Sequence, residues 1–113
     1  MNVNVFSPNF LKTKTLSASA TTANVTLDAT DVSSVVNGQT QGGHSVMRIV
    51  NAGPNTVFLR WGTGIATAAL TTDMPVLSGA IELFSKQWSD NWVSGICAGS
   101  GTATVYITCG EGL

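Results

Sequence analysis

Residues 47–61, MRIV-NAGPN-TVFLRW, decide the fold: a short apolar run, a tight polar turn and a second apolar run. In the second run Val57, Leu59 and Trp61 share one face while Phe58 and Arg60 take the other, the period of a strand and not of a helix. The same cadence continues to the C-terminus. MPVL (74–77), AIELF (80–84), WVSGICA (92–98) and TATVYITC (102–109) are separated by GTG, TTD, SG, SKQWSDN and GSG. Pro75 marks a strand start or an edge. Runs joined by so few turn residues read as hairpins, across Ala52–Asn55, Ser78-Gly79 and Ser100-Gly101. In the last run Val105, Ile107 and Cys109 point inward, and Thr104, Tyr106 and Thr108 outward.

Towards the N-terminus the signal is thinner. Residues 1–10, MNVNVFSPNF, alternate through Val3 and Val5 and then meet Pro8, which suits an N-terminal arm or an edge strand; residues 11–113 form a single β-sandwich domain. Leu16, Ala18 and Ala20 alternate with Thr and Ser, and Ala23, Val25 and Leu27 do the same on the opposite parity. A turn at Thr21-Thr22 or a bulge explains the switch. Because Thr disfavours positive φ, a bulge or a longer loop is preferred to a Thr-Thr turn. Residues 28–44 are rich in Asp, Ser, Asn, Gln and Gly and read as the longest loop, with one helical turn at DVSSVV capped by Asp31. About eight to ten strands result, enough for two packed sheets. The expected fold is all-β: an antiparallel two-sheet sandwich of jelly-roll type.

Composition narrows the function. Of 113 residues, 43% are hydrophobic and only 10% charged, against roughly 25% charged in average domains. The polar surface is therefore built from neutral Ser, Thr, Asn and Gln, with little mutual repulsion, and suits permanent association. Five Lys and Arg with a net charge of −1 give no converging basic patch, so nucleic acid is not an expected partner. No apolar run approaches the ~20 residues of a membrane helix, and the first residues do not resemble a secretory signal. If Ser100-Gly101 turns a hairpin, Cys97 faces Thr104 and Cys109 faces Trp92, which separates the two thiols by roughly 16 Å at ~3.3 Å per residue. A disulfide is excluded at that span, and both cysteines are expected as buried free thiols.

Catalytic groupings are sparse. His44 is the only histidine, and a triad would have to join it to Asp28, Asp31 or Asp73, none of which the sequence singles out. The carboxylates Asp73, Glu82, Asp90 and Glu111 sit mostly at turns, where Asp is ordinary turn chemistry. One His and two strand-borne Cys do not supply a metal-ligand set. The chain is read as having no enzymatic activity, no cofactor and no metal. The aromatics say more. Trp61 and Trp92 are expected to fill the thin core, whereas Trp88, in the loop Trp88-Ser89-Asp90-Asn91-Trp92, is placed to anchor an interface or stack on a sugar.

Residues 45–113 carry a longer motif string: Val50, Asn51 and Gly53; Val57, Phe58, Arg60 and Gly62; Asp73, Pro75, Val76, Gly79, Glu82 and Phe84; and at the end Gly101, Ala103, Val105, Ile107, Thr108, Gly110, Glu111 and Gly112. This string resembles the small virion proteins of tailed bacteriophages, of the head-decoration or cement type. The resemblance implies a β-sandwich made in the host cytoplasm that binds the outer surface of the capsid. Its partners would be the major capsid protein and further copies of itself, with no membrane or nucleic acid involved. Val3, Val5, Phe6, Trp88, Asp90 and Asn91 are the expected interface residues. The alternative is a host-surface glycan-binding module, or a head or tail fibre module, that uses Trp88.

Overall fold

The computed structural model describes residues 6–32, 34–36, 39–41 and 44–112. Val3 and Val5 lie outside the described residues. Eleven strands occur among those described: β1 Phe6–Pro8, β2 Lys14–Ala18, β3 Ala23–Thr26, β4 Ser34–Val36, β5 Gln39–Gln41, β6 Val46–Asn51, β7 Val57–Gly62, β8 Met74–Val76, β9 Ile81–Ser85, β10 Trp92–Cys97 and β11 Ala103–Gly112. Two antiparallel sheets pack face to face. Sheet A runs β2–β11–β6–β9, with β1 on the same side of β11 as β2; sheet B runs β3–β10–β7–β8, and β4 pairs only with β5. The all-β antiparallel sandwich read from the alternation is the fold observed.

The connections differ from expectation. None of the three short turns is a hairpin. β6 lies in sheet A and β7 in sheet B, β8 in B and β9 in A, β10 in B and β11 in A, so each turn is an arch that carries the chain between layers. Residues 19–22 also form an arch, from β2 to β3, so of the two preferred readings the longer loop holds and the bulge does not. Packed sheets lie only ~10 Å apart, so four or five residues cross between them as easily as they reverse within one sheet. Turn chemistry does not distinguish the two routes.

Residues 28–44, expected as a loop, hold one 3-10 turn at Ala29–Asp31 and the β4–β5 pair. The expected helical turn therefore sits earlier, with Asp31 inside it. Asp28 takes the N-cap position without a side-chain cap bond.

The inward face of each strand matches the alternation. Leu16, Met47, Ile49, Val57, Leu59, Val76, Val93, Val105 and Ile107 form the buried core between the sheets. β11 is its axis, pairing β6 along one side and β1 with β2 along the other. Asn9 N–H donates to Cys109 O at 2.8 Å and extends the β1 pairing, after which residues 10–13 bulge away before β2 begins. Cys97 belongs to sheet B and Cys109 to sheet A, both buried and free. The two lie in different sheets, and not on the single hairpin inferred above. Burial pushes both thiols up, Cys109 to about 12.

The arches gather at one end of the sandwich, around Asn51. Its buried Nδ2 donates to Asn55 O and Val76 O, both at 2.9 Å, and its Oδ1 accepts Gly53 N–H at 3.0 Å. One side chain thus joins the 52–56 arch to β8. A Cβ on Gly53 would overlap Ala103 Cα and lie 2.7 Å from Thr104 N, so the arch passes β11 at a distance only glycine permits. These contacts give Asn51 and Gly53 of the motif string a structural account.

Candidate functional site

All three longer connections, residues 27–45, 63–73 and 86–91, leave the opposite end of the sandwich. Lys86 holds two of them together. Phe84 faces inward, so alternation turns Lys86 inward too, and its Nζ donates to Asp31 O (2.7 Å), Asp90 O (3.1 Å) and Gln87 O (3.2 Å). Burial lowers the Lys86 pKa, countered in part by the charges of Asp90, Asp31 and Glu111 nearby. In the sequence Lys86 looks like a scattered surface cation; only its parity after Phe84 could have pointed to this role.

Asp90 and Asn91 serve the same end. Asp90 is buried, with Oδ2 accepting Gln87 N–H at 2.9 Å and Oδ1 accepting the Thr63 hydroxyl at 2.8 Å. Asn91 Oδ1 accepts Gly64 N–H at 3.0 Å. Both side chains tie residues 63–64 to the 86–91 loop. Trp88, between these ties, is half exposed. Phe6 is partly buried and packs against Gly110. Of the six expected interface residues, three share the 86–91 loop. Asp90 and Asn91 hold the loops, Trp88 projects from one of them, Phe6 lies on the β1 edge, and Val3 and Val5 are outside the described residues.

A polar group that the sequence did not reveal lies beside Lys86. Asp31 is buried, and its Oδ1 accepts Asn9 Nδ2–H at 2.9 Å, with His44 Nε2 at 3.8 Å. His44 Nδ1 is 3.3 Å from Glu111 Oε1, and the Ser45 hydroxyl donates to Glu111 Oε2 at 3.2 Å. Histidine, carboxylates and serine are thus assembled, but the serine bonds to a carboxylate and not to the imidazole, so the geometry does not activate it as a nucleophile. Among the described residues, no three His, Cys, Asp or Glu are grouped to hold a metal ion.

The outer face of sheet B is covered. Residues 63–73 cross it far enough for Ala69 N–H to donate to Thr22 Oγ1 at 3.0 Å, and Ala69 is buried. Trp92 and Ser94, which point outward from β10, are buried there. Trp92 is thus buried as expected, but on this outer face against Gly62 and not between the sheets. Trp61 does pack on the core, with its ring 5.2 Å from that of Phe84.

An open cleft of about 260 Å³ is lined by Leu59, Arg60, Trp61, Asp73 and Met74. β8 pairs only with residues 57–59 of β7, which leaves Arg60–Gly62 without a neighbour on that side. Arg60 Nη2 donates to Asp73 Oδ1 at 3.0 Å, and Leu70 N–H donates to Asp73 Oδ2 at 2.7 Å. The Leu70 amide first, and then the Arg60 guanidinium, hold the Asp73 carboxyl below the usual carboxylate range. Among the described residues no helix is long and apolar enough to cross a membrane. No protein-family model and no curated protein matches the chain.

Proposed function

We propose that this chain is a non-catalytic structural subunit of a tailed-phage head, a decoration protein that binds and stabilises the assembled shell from outside. The strand orders β2–β11–β6–β9 and β3–β10–β7–β8 are read as a jelly roll, an architecture that serves viral capsid and lectin domains. The observation that carries the proposal is the outer face of sheet A. Its register row Thr15–Tyr106–Val50–Ile81 runs neutral and apolar across four strands, with Leu83 alongside, and Thr15, Tyr106, Ile81 and Leu83 are exposed. Arg48 is the single charged side chain among the described residues of that face. At its β1–β2 edge, Phe10 and Leu11 are exposed, and Leu11 holds a φ of +65°. A leucine in the left-handed region costs about 1 kcal/mol or more, and strain of this kind concentrates at functional positions.

Such a face loses little entropy on docking, because its strands are already rigid. A subunit that binds only the assembled shell stabilises that form by mass action, and repetition around symmetry axes adds avidity without strong single contacts. Sedimentation with expanded and unexpanded shells of a phage carrying this protein tests the proposal. The chain should pellet with expanded shells, and Tyr106→Lys with Ile81→Lys should weaken that at least tenfold while the fold is kept. Failure to bind expanded shells removes the proposal.

A further inference from the structure

We infer that the cleft beside Trp61 binds one pyranose ring, the terminal unit of a glycan. This goes beyond shell docking, uses a different face of the molecule and involves different residues. The lining decides the chemical class. Trp61 and Met74 give apolar walls, and the Trp61 ring lies 5.2 Å from that of Phe84 with planes inclined by 47°. Arg60 and Asp73 stand at the same cleft as a fixed donor and acceptor side by side, 3.0 Å apart.

A purely apolar occupant would leave that pair unused and partly dehydrated, an unfavourable arrangement. A small anion meets the ionised Asp73 carboxylate, and a small cation meets the Arg60 guanidinium. A neutral molecule with adjacent hydroxyls suits both. Each hydroxyl donates and accepts, so one can donate to Asp73 while its neighbour accepts from Arg60. A pyranose offers such a diol on its rim and a C–H face for Trp61 and Met74. The volume of about 260 Å³ lies below the ~300–1,000 Å³ of drug-sized sites, so it takes one ring. Because the cleft is open, the rest of a glycan can run into solvent.

The test is a titration of the full chain with the methyl pyranosides of glucose, galactose, mannose and N-acetylglucosamine, followed by ligand-detected NMR and tryptophan fluorescence. At least one should saturate with a Kd of about millimolar. Asp73→Asn and Arg60→Gln should each weaken it about tenfold or more, with unchanged far-ultraviolet dichroism, and Trp88→Ala should leave it unchanged. Two variants are used because Asp73 also holds the Leu70 amide. The inference is overturned if none of the four saturates, if binding survives both cleft variants, or if Trp88→Ala abolishes it. Shell sedimentation of the same two variants should equal that of the wild type, so failure here and failure of shell binding are told apart.

Discussion

Replacing Asn51 by Ala tests whether one side chain holds the arches together. The substitution removes three hydrogen bonds, to Asn55 O, Val76 O and Gly53 N–H, and the bonds to Val76 O and Gly53 N–H are buried. At about 1 kcal/mol net for each bond, with an added cost for buried groups left unpaired, the expected loss is about 3–4 kcal/mol. Domains of this size have only about 5–15 kcal/mol in total. With a urea m-value of about 1.5 kcal/mol/M, the unfolding midpoint should fall by about 2 M. Asn51→Asp sharpens the test. It keeps an acceptor for Gly53 N–H but sets carboxylate oxygens against two carbonyl oxygens, so at pH 7 it should be less stable than the Ala variant. Its folded-state pKa is thereby raised, so the folded form binds more protons and the Asp variant should regain stability as the pH falls through that value. An Ala variant that loses less than about 1 kcal/mol, or an Asp variant equal to wild type at pH 7, would refute the reasoning.

Gly53→Ala should cost about 3 kcal/mol or more, because the new methyl meets backbone atoms of Ala103 and Thr104; Gly79→Ala, with open space but a φ of +78°, should cost about 1 kcal/mol, both read from urea midpoints. Lys86→Met strands the carbonyls of Asp31, Asp90 and Gln87 but also removes a buried charge, so a net loss of about 2 kcal/mol is expected. Since burial lowers the Lys86 pKa, the unfolded chain binds more protons between the folded value and ~10.4, and the wild type should gain on the Met variant as the pH rises through that window. Ellman's reagent at pH 8 should find no reactive thiol in the native chain and both after denaturation. Above ~8.5 the unfolded Cys109 ionises while the folded thiol keeps its proton to about 12, so stability should fall with alkali, and less so in Cys109→Val.

The loop end of the molecule was the least readable part. Asp31, His44, Lys86 and Glu111 are spread over 81 positions of the chain, from 31 to 111, and the antiparallel pairing of β11 and of β9 with β6 brings Glu111 and Lys86 to the others. The tie between Asp90 and Thr63 likewise spans separate loops. Trp61 and Trp92 show both outcomes. Alternation places Trp61 inward on β7, where it packs against the core. The same reasoning could not show that residues 63–73 fold back over the other face and bury Trp92 there, because that depends on the path of a loop whose Gly, Ala and Thr carry no strong local preference.

Alternation within each strand is a local property, set by the pleat that sends successive side chains to opposite faces. The sequence by itself therefore determined the all-β class, the inward sets Val57–Leu59–Trp61 and Val105–Ile107–Cys109, and the charge-poor surface. Which sheet each strand joins is not local. A five-residue turn such as Ala52–Thr56 closes a hairpin or crosses ~10 Å to the facing sheet with the same residues. Only tertiary structure chose the crossing, because Asn51 finds Val76 O on the facing sheet and β11 finds partners in β2 and β6. Those long-range pairings put the cysteines in separate sheets, gathered the long loops at one end and left Thr15, Tyr106, Ile81 and Leu83 exposed on one sheet face.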